Sequence, residues 1–194
     1  MNPYLAAGLA MCAIVIVALA LTAYMAMIFN RRAKVDLERA LTPLAAVIDG
    51  EMDLDDAKVT GRFRGQIAEG WMSASLTNPG RVFHTSVIDA TGGAKWTWTY
   101  ARPRKASDSA EAQFDSADDK LETAFFPEID PLLLPVREGA PWTVVEYDPD
   151  PGHIRLTRPM QTRRDLPSVG QFEADLNALI AIAGLNRAVQ FDET

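Results

Sequence analysis

The chain has 194 residues, one cysteine, two histidines, and 26 acidic against 19 basic side chains, for a net charge of −7. That balance argues against nucleic acid as a partner, because phosphate binding needs a concentrated basic surface and the densest charge runs, 49–56 and 107–119, are acidic. A lone cysteine excludes a disulfide framework.

The 26 positions from Tyr4 to Phe29 carry no charge, and Asn30-Arg31-Arg32-Ala33-Lys34 closes the run. As a helix it reaches roughly 39 Å at about 1.5 Å per residue, more than the approximately 30 Å of bilayer hydrocarbon, so residues 1–30 read as a transmembrane anchor. A cleaved signal fits poorly: Met1-Asn2-Pro3 supplies no basic n-region, and the core is about twice the usual 7 to 15 residues. A lipid-modified Cys12 fits poorly as well, since Met11 precedes it and most of the apolar stretch follows it.

Lys and Arg near a span are held on the cytoplasmic side. Arg31, Arg32, Lys34 and Arg39 all follow the run and nothing basic precedes it. The expected topology is therefore a single pass through the inner (plasma) membrane, N-terminus outside and domain in the cytoplasm. Arg31, Arg32 and Lys34 are the residues expected to set this topology or meet lipid headgroups. Within the span Ala6, Ala10, Ala13 and Ala20 fall on one stripe, where small side chains let a facing helix approach; they are the expected membrane contacts with partner subunits.

Residues 31–56 read as a membrane-exit helical linker. Leu37, Leu41, Leu44 and Ile48 keep helical spacing, and Pro43 predicts either a kink or a second helix begun by Thr42-Pro43 and ended at Gly50. The acidic stretch 49–56 lacks the spacing of a calcium loop and reads as a solvated connection.

Residues 57–194 read as one cytoplasmic α+β domain. Four strands, 58–64, 67–76, 81–89 and 95–102, are separated by turns at Gly65, Asn78-Pro79-Gly80 and Thr91-Gly92-Gly93, and connections this short predict an antiparallel meander. On the first strand Arg62 and Arg64 are expected on the wet face, with Phe63 opposite. In 95–100 strict alternation puts Trp96, Trp98 and Tyr100 on one face. Packing under the C-terminal helix is the expected use of that face, with an exposed partner-binding patch as the alternative.

A polar loop is expected over 103–119. Phe125 and Phe126 anchor the mixed segment 121–134, where Pro127, Pro131 and Pro135 limit helices to short turns. A hairpin joins 142–147 to 153–158 through Asp148-Pro149-Asp150-Pro151-Gly152. Ser168 and Gln171 form a capping box for a last, amphipathic helix whose stripe is Phe172, Leu176, Leu179, Ile180 and Ala183.

No phosphate loop, G-x-S-x-G, H-E-x-x-H or cysteine pair occurs. His84 and His153 lie on separate strands with no second ligand nearby in sequence, so no catalytic, cofactor or metal residue is expected. The fold class expected is α+β: one N-terminal transmembrane helix, then a single domain with a β-meander and a hairpin packed against helices. The function expected is a non-catalytic, membrane-anchored accessory subunit that supports or assembles a larger membrane complex, of the photosynthetic or respiratory kind. Its partners would be other membrane subunits and the bilayer. A membrane-tethered sensory or ligand-binding domain is the alternative, with an enzyme behind it.

Overall fold

The apolar run folds as helix α1 (Pro3–Val47) in a computed structural model that describes residues 3–74, 80–88, 93–102, 112–137, 140–160 and 166–191, side chains 3, 5–7, 9, 10, 190 and 191 excepted. The chain divides into two units, 1–39 and 40–194. In the first, α1 is long and apolar enough to cross a membrane, and the apolar side chains from Met11 to Phe29 are almost all exposed. In the second unit the helix continues through Pro43, so Thr42-Pro43 starts no second helix. A proline removes one backbone donor from the ladder, and the burial of Leu41, Leu44, Ala45 and Ile48 around it holds the turn in place. The helix stops where Asp49 turns left-handed, with Ala45 O accepting from both Ile48 N and Gly50 N.

Eight strands make one antiparallel sheet: β1 (Glu51–Asp53), β2 (Lys58–Phe63), β3 (Gln66–Ala74), β4 (Arg81–Ile88), β5 (Trp96–Ala101), β6 (Ala112–Ser116), β7 (Trp142–Asp148) and β8 (His153–Met160). Their order is β1-β2-β3-β4-β8-β7-β5-β6. The expected meander therefore holds for β2, β3 and β4 and then breaks. The β7-β8 hairpin inserts, β8 pairing with β4 and β7 with β5. Burial explains the insertion: β4 buries Val82, Phe83, Thr85, Ser86 and Val87, residues of both faces, as a central strand must. Short connections fix the direction of neighbouring strands without fixing which strand is the neighbour.

Two other segments correct the expectation. Residues 103–119, read as a loop, contain β6, whose Phe114 sits opposite Trp98 and stacks against Trp96 and Phe126; residues 103–111, and the turn residues 78–79 and 91–92, lie outside the described residues. The acidic stretch 49–56 contains β1, paired with β2 through Met52 and Val59. Arg64 also departs from its expected strand face. It lies in the β2-β3 turn with φ 51°, its guanidinium over the Phe63 ring, while Arg62 stays exposed on the strand.

Short helices α2 (Asp119–Ala124), α3 (Phe126–Leu132) and α4 (Leu134–Arg137) follow β6, with Pro127, Pro131 and Pro135 keeping each to a turn or two. Helix α5 (Val169–Phe191) opens on Ser168, whose Oγ accepts the Gln171 N–H at 3.2 Å. Only half of the capping box forms, because the Gln171 amide donates to Asp175 instead of reaching back. Phe172, Leu176, Leu179 and Ala183 are buried as expected, Ile180 is half-buried, and the stripe widens to include Asp175, Ile182 and Asn186.

These helices meet the sheet on one face. Alternation places Ala68, Gly70, Phe83, Thr85, Val87, Leu156, Arg158, Val145, Tyr147, Trp96 and Trp98 together there. Phe172 of α5 packs edge-on against Phe83, and Phe125 packs against Trp96. At β2 the chain after α1 crosses closely: Arg62 N donates to Ile48 O at 2.6 Å, and a Cβ on Gly61 would stand 2.3 Å from that oxygen.

Candidate functional site

The aromatic strand face is largely consumed by the core. Trp96 and Trp98 are 1% and 0% exposed, and Tyr100 is half-buried. Each indole N–H finds an acceptor under the helices: Trp96 Nε1 donates to Asn186 Oδ1 of α5 at 3.1 Å, and Trp98 Nε1 to Asp130 Oδ1 of α3 at 3.2 Å. The Arg137 guanidinium pairs with Asp130 and lies over both Trp98 and Tyr100. Burial of the two indoles with both N–H donors satisfied is a folding device, and with Tyr100 half-buried under Arg137 it leaves little aromatic surface there for another molecule.

The opposite face of the sheet carries a connected polar layer. His84 on β4 stands across from Trp71 on β3 and Thr157 on β8. Its ring stacks on Trp71 at 4.8 Å between centroids, Nε2 is 2.7 Å from Ser73 Oγ, and Nδ1 is 2.9 Å from Thr157 Oγ1. Burial first, and then the Arg155 charge, lower its pKa to about 4, with Glu146 opposing. The ring is neutral at neutral pH, with both nitrogens already engaged by hydroxyls. Such a histidine is a weak base and holds three strands together.

Around it Lys58 pairs with Glu69 at 2.8 Å and lies over Trp71, Arg155 forks onto Glu146, and Lys95 holds Asp148 at 2.9 Å. The Lys95 hydrogen bond, then a bond from the Asp150 N–H, lowers the Asp148 carboxyl below its usual range. Ser86, opposite both Glu69 and Arg155, is buried with its Oγ unpartnered. His153 lies on the same face but four residues along β8 from Thr157, roughly 13 Å at about 3.3 Å per residue, too far to share a ligand with His84. Among the described residues no group of His, Cys, Asp and Glu is arranged to hold a metal ion.

On the helical face a second feature, missed in the sequence, joins α5 to β8. Arg158 donates to Asp175 Oδ1, which also accepts from Gln171 Nε2 at 2.9 Å, while Asp175 Oδ2 and Arg158 Nε are buried without partners. Burial raises the Asp175 carboxyl to about 6, against the lowering effect of Arg158 and then Gln171. It also lowers the Arg158 guanidinium, against Asp175. The signal that could have found this pair is a charge inside each of two apolar patterns, Arg158 in a strand and Asp175 in a helix stripe.

In the first unit Ala13 and Ala20 are exposed on α1; the side chains of Ala6 and Ala10 lie outside the described residues. Arg31, Arg32 and Lys34 are exposed at the end of the apolar run. Together these features define an α+β protein: a long apolar N-terminal helix, an eight-stranded antiparallel sheet with helices on one face, and a polar, histidine-centred layer on the other. Compared with known protein families, with curated proteins and with solved structures, the chain matches none.

Proposed function

We propose that this chain is a non-catalytic accessory subunit, anchored in a membrane by α1 and supporting a larger membrane protein complex through its span and its sheet domain. The observation that carries the reading is the exposed apolar surface of α1: Ile14, Ile16, Val17, Leu19 and Leu21 are each more than 60% exposed. Surface of that extent is stable only against lipid or other helices. The exposed Ala13 and Ala20 supply a close-packing stripe for such helices. The basic side chains after the run favour a cytoplasmic domain and an N-terminus outside.

The experiment is purification of the tagged full chain from its native membrane in mild detergent. A defined set of membrane proteins in fixed proportion supports the subunit reading. A chain recovered alone, or released from membranes by alkaline carbonate, overturns it.

A further inference from the structure

We propose that Arg31, Arg32 and Arg39 form a binding site for the phosphate headgroup of an anionic phospholipid at the end of the apolar run. At 100° per residue, Arg31, Arg32, Val35, Asp36 and Arg39 fall within about 140° of the helix circumference, so they share one face. They line a shallow hollow of about 300 Å³ on that face and all five are exposed. Arg31 and Arg32 lie on one turn and Arg39 about two turns, or roughly 11 Å, further along, so the three arginines flank the hollow from both ends, and a guanidinium meets a phosphate through two parallel N–H···O bonds. Val35 between them gives the hollow an apolar floor suited to the glycerol end of a lipid.

The position fixes the source of the phosphate. Phe29 ends the uncharged run two residues before Arg31. A helix that crosses a bilayer with that run places the hollow at headgroup depth, where basic clusters meet anionic lipid. The inference rests on the reading of α1 as a membrane span. Asp36 is the one carboxylate in the hollow, and it sets a limit on affinity by repelling the phosphate.

The test is native mass spectrometry of the full chain in detergent, titrated with phosphatidylglycerol or phosphatidylcholine. The expected result is retention of phosphatidylglycerol in preference to phosphatidylcholine. Changing each of Arg31, Arg32 and Arg39 to Gln should weaken retention roughly fivefold per arginine, with helix content unchanged by circular dichroism. Asp36→Asn should strengthen it. Phosphatidylglycerol retention by the triple variant equal to that of the unaltered chain would sink the proposal, as would equal displacement by inorganic phosphate, which would make the hollow a free-anion site. A separate arm inserts the chain into vesicles of phosphatidylcholine alone. Resistance to alkaline carbonate there upholds the span independently of lipid choice, and extraction overturns the span and the headgroup site with it.

Discussion

His84 and Asp175 lie on opposite faces of the sheet and respond to acid with opposite sign. The His84 pKa is lowered from 6.5 to about 4, so its contribution to stability is complete above 6.5 and is lost as the pH falls toward 4. The Asp175 pKa is raised from 3.8 to about 6, so its contribution is complete below 3.8 and is lost as the pH rises through 6. Over the shared window the two slopes cancel. In thermal unfolding of the detergent-solubilised chain, the advantage of the unaltered protein over His84→Gln should grow as pH rises from about 4 to 6.5. Its advantage over Asp175→Asn should shrink between about 4 and 6. Parallel profiles for all three proteins would show that neither group is held as described. The Arg158 partnership gives a second expectation. Asp175→Leu strands a buried guanidinium and should cost about 3–5 kcal/mol, whereas Asp175→Leu with Arg158→Met should recover most of that or exceed the starting stability. Chemical denaturation of the four proteins in the cycle would decide it.

At the level of elements, the close crossing of β2 by the chain after α1 makes the two kinds of glycine in this fold separable. Gly61→Ala places a methyl group into backbone atoms, Ile48 O at 2.3 Å and Gly50 Cα at 2.6 Å, and should cost about 1–3 kcal/mol or more. Gly184 lies inside α5 with open space around it, and Gly184→Ala should gain about 0.5–1 kcal/mol. Unfolding midpoints of the two variants should move in opposite directions. The elements most legible in the sequence are those with long, regular patterns: the apolar run, the alternating Trp96–Tyr100 strand, the Asp148–Gly152 hairpin and α5. Those it concealed are short and polar. β1 is three residues with Met52 as its one apolar side chain, and β6 is five with only Ala112 and Phe114, so neither is long enough for an alternating pattern to show even though each pairs with its neighbour in the chain. The His84 cluster was hidden for another reason, that its members come from three strands. Ser73 meets His84 through the β3-β4 pairing and Thr157 joins them only through β4-β8, and none of the three is unusual in its own segment.

For the whole molecule, the exposed helix and the sheet domain predict separable losses. Replacing Ala13 and Ala20 with Ile should leave insertion intact, because Ile is at least as lipophilic as Ala. It should still reduce co-purification of partner subunits by holding a facing helix away. Full retention of the partners would move recognition to the sheet domain. Orientation is tested with a Cys12→Ser chain carrying Asp150→Cys, a position exposed in the β7-β8 turn. A membrane-impermeant thiol reagent should label it only after cells are broken, and labelling of intact cells would place the domain outside.

The strand order also governs when the sheet can close. β1 to β4 pair with near neighbours in the chain, but β4 waits for β8, and the His84 and Thr157 side chains that meet across this seam are 73 residues apart. During synthesis β4 therefore presents an unpaired edge until the last third of the chain has emerged, and distant pairings of this kind are slow to form. A released chain truncated before His153 should bind holdase chaperones and aggregate, and a chain extended through α5 to Phe191, which closes the β4 edge and covers the apolar sheet face, should do neither. The docking of one late hairpin into a waiting half-sheet is therefore the step expected to set folding yield.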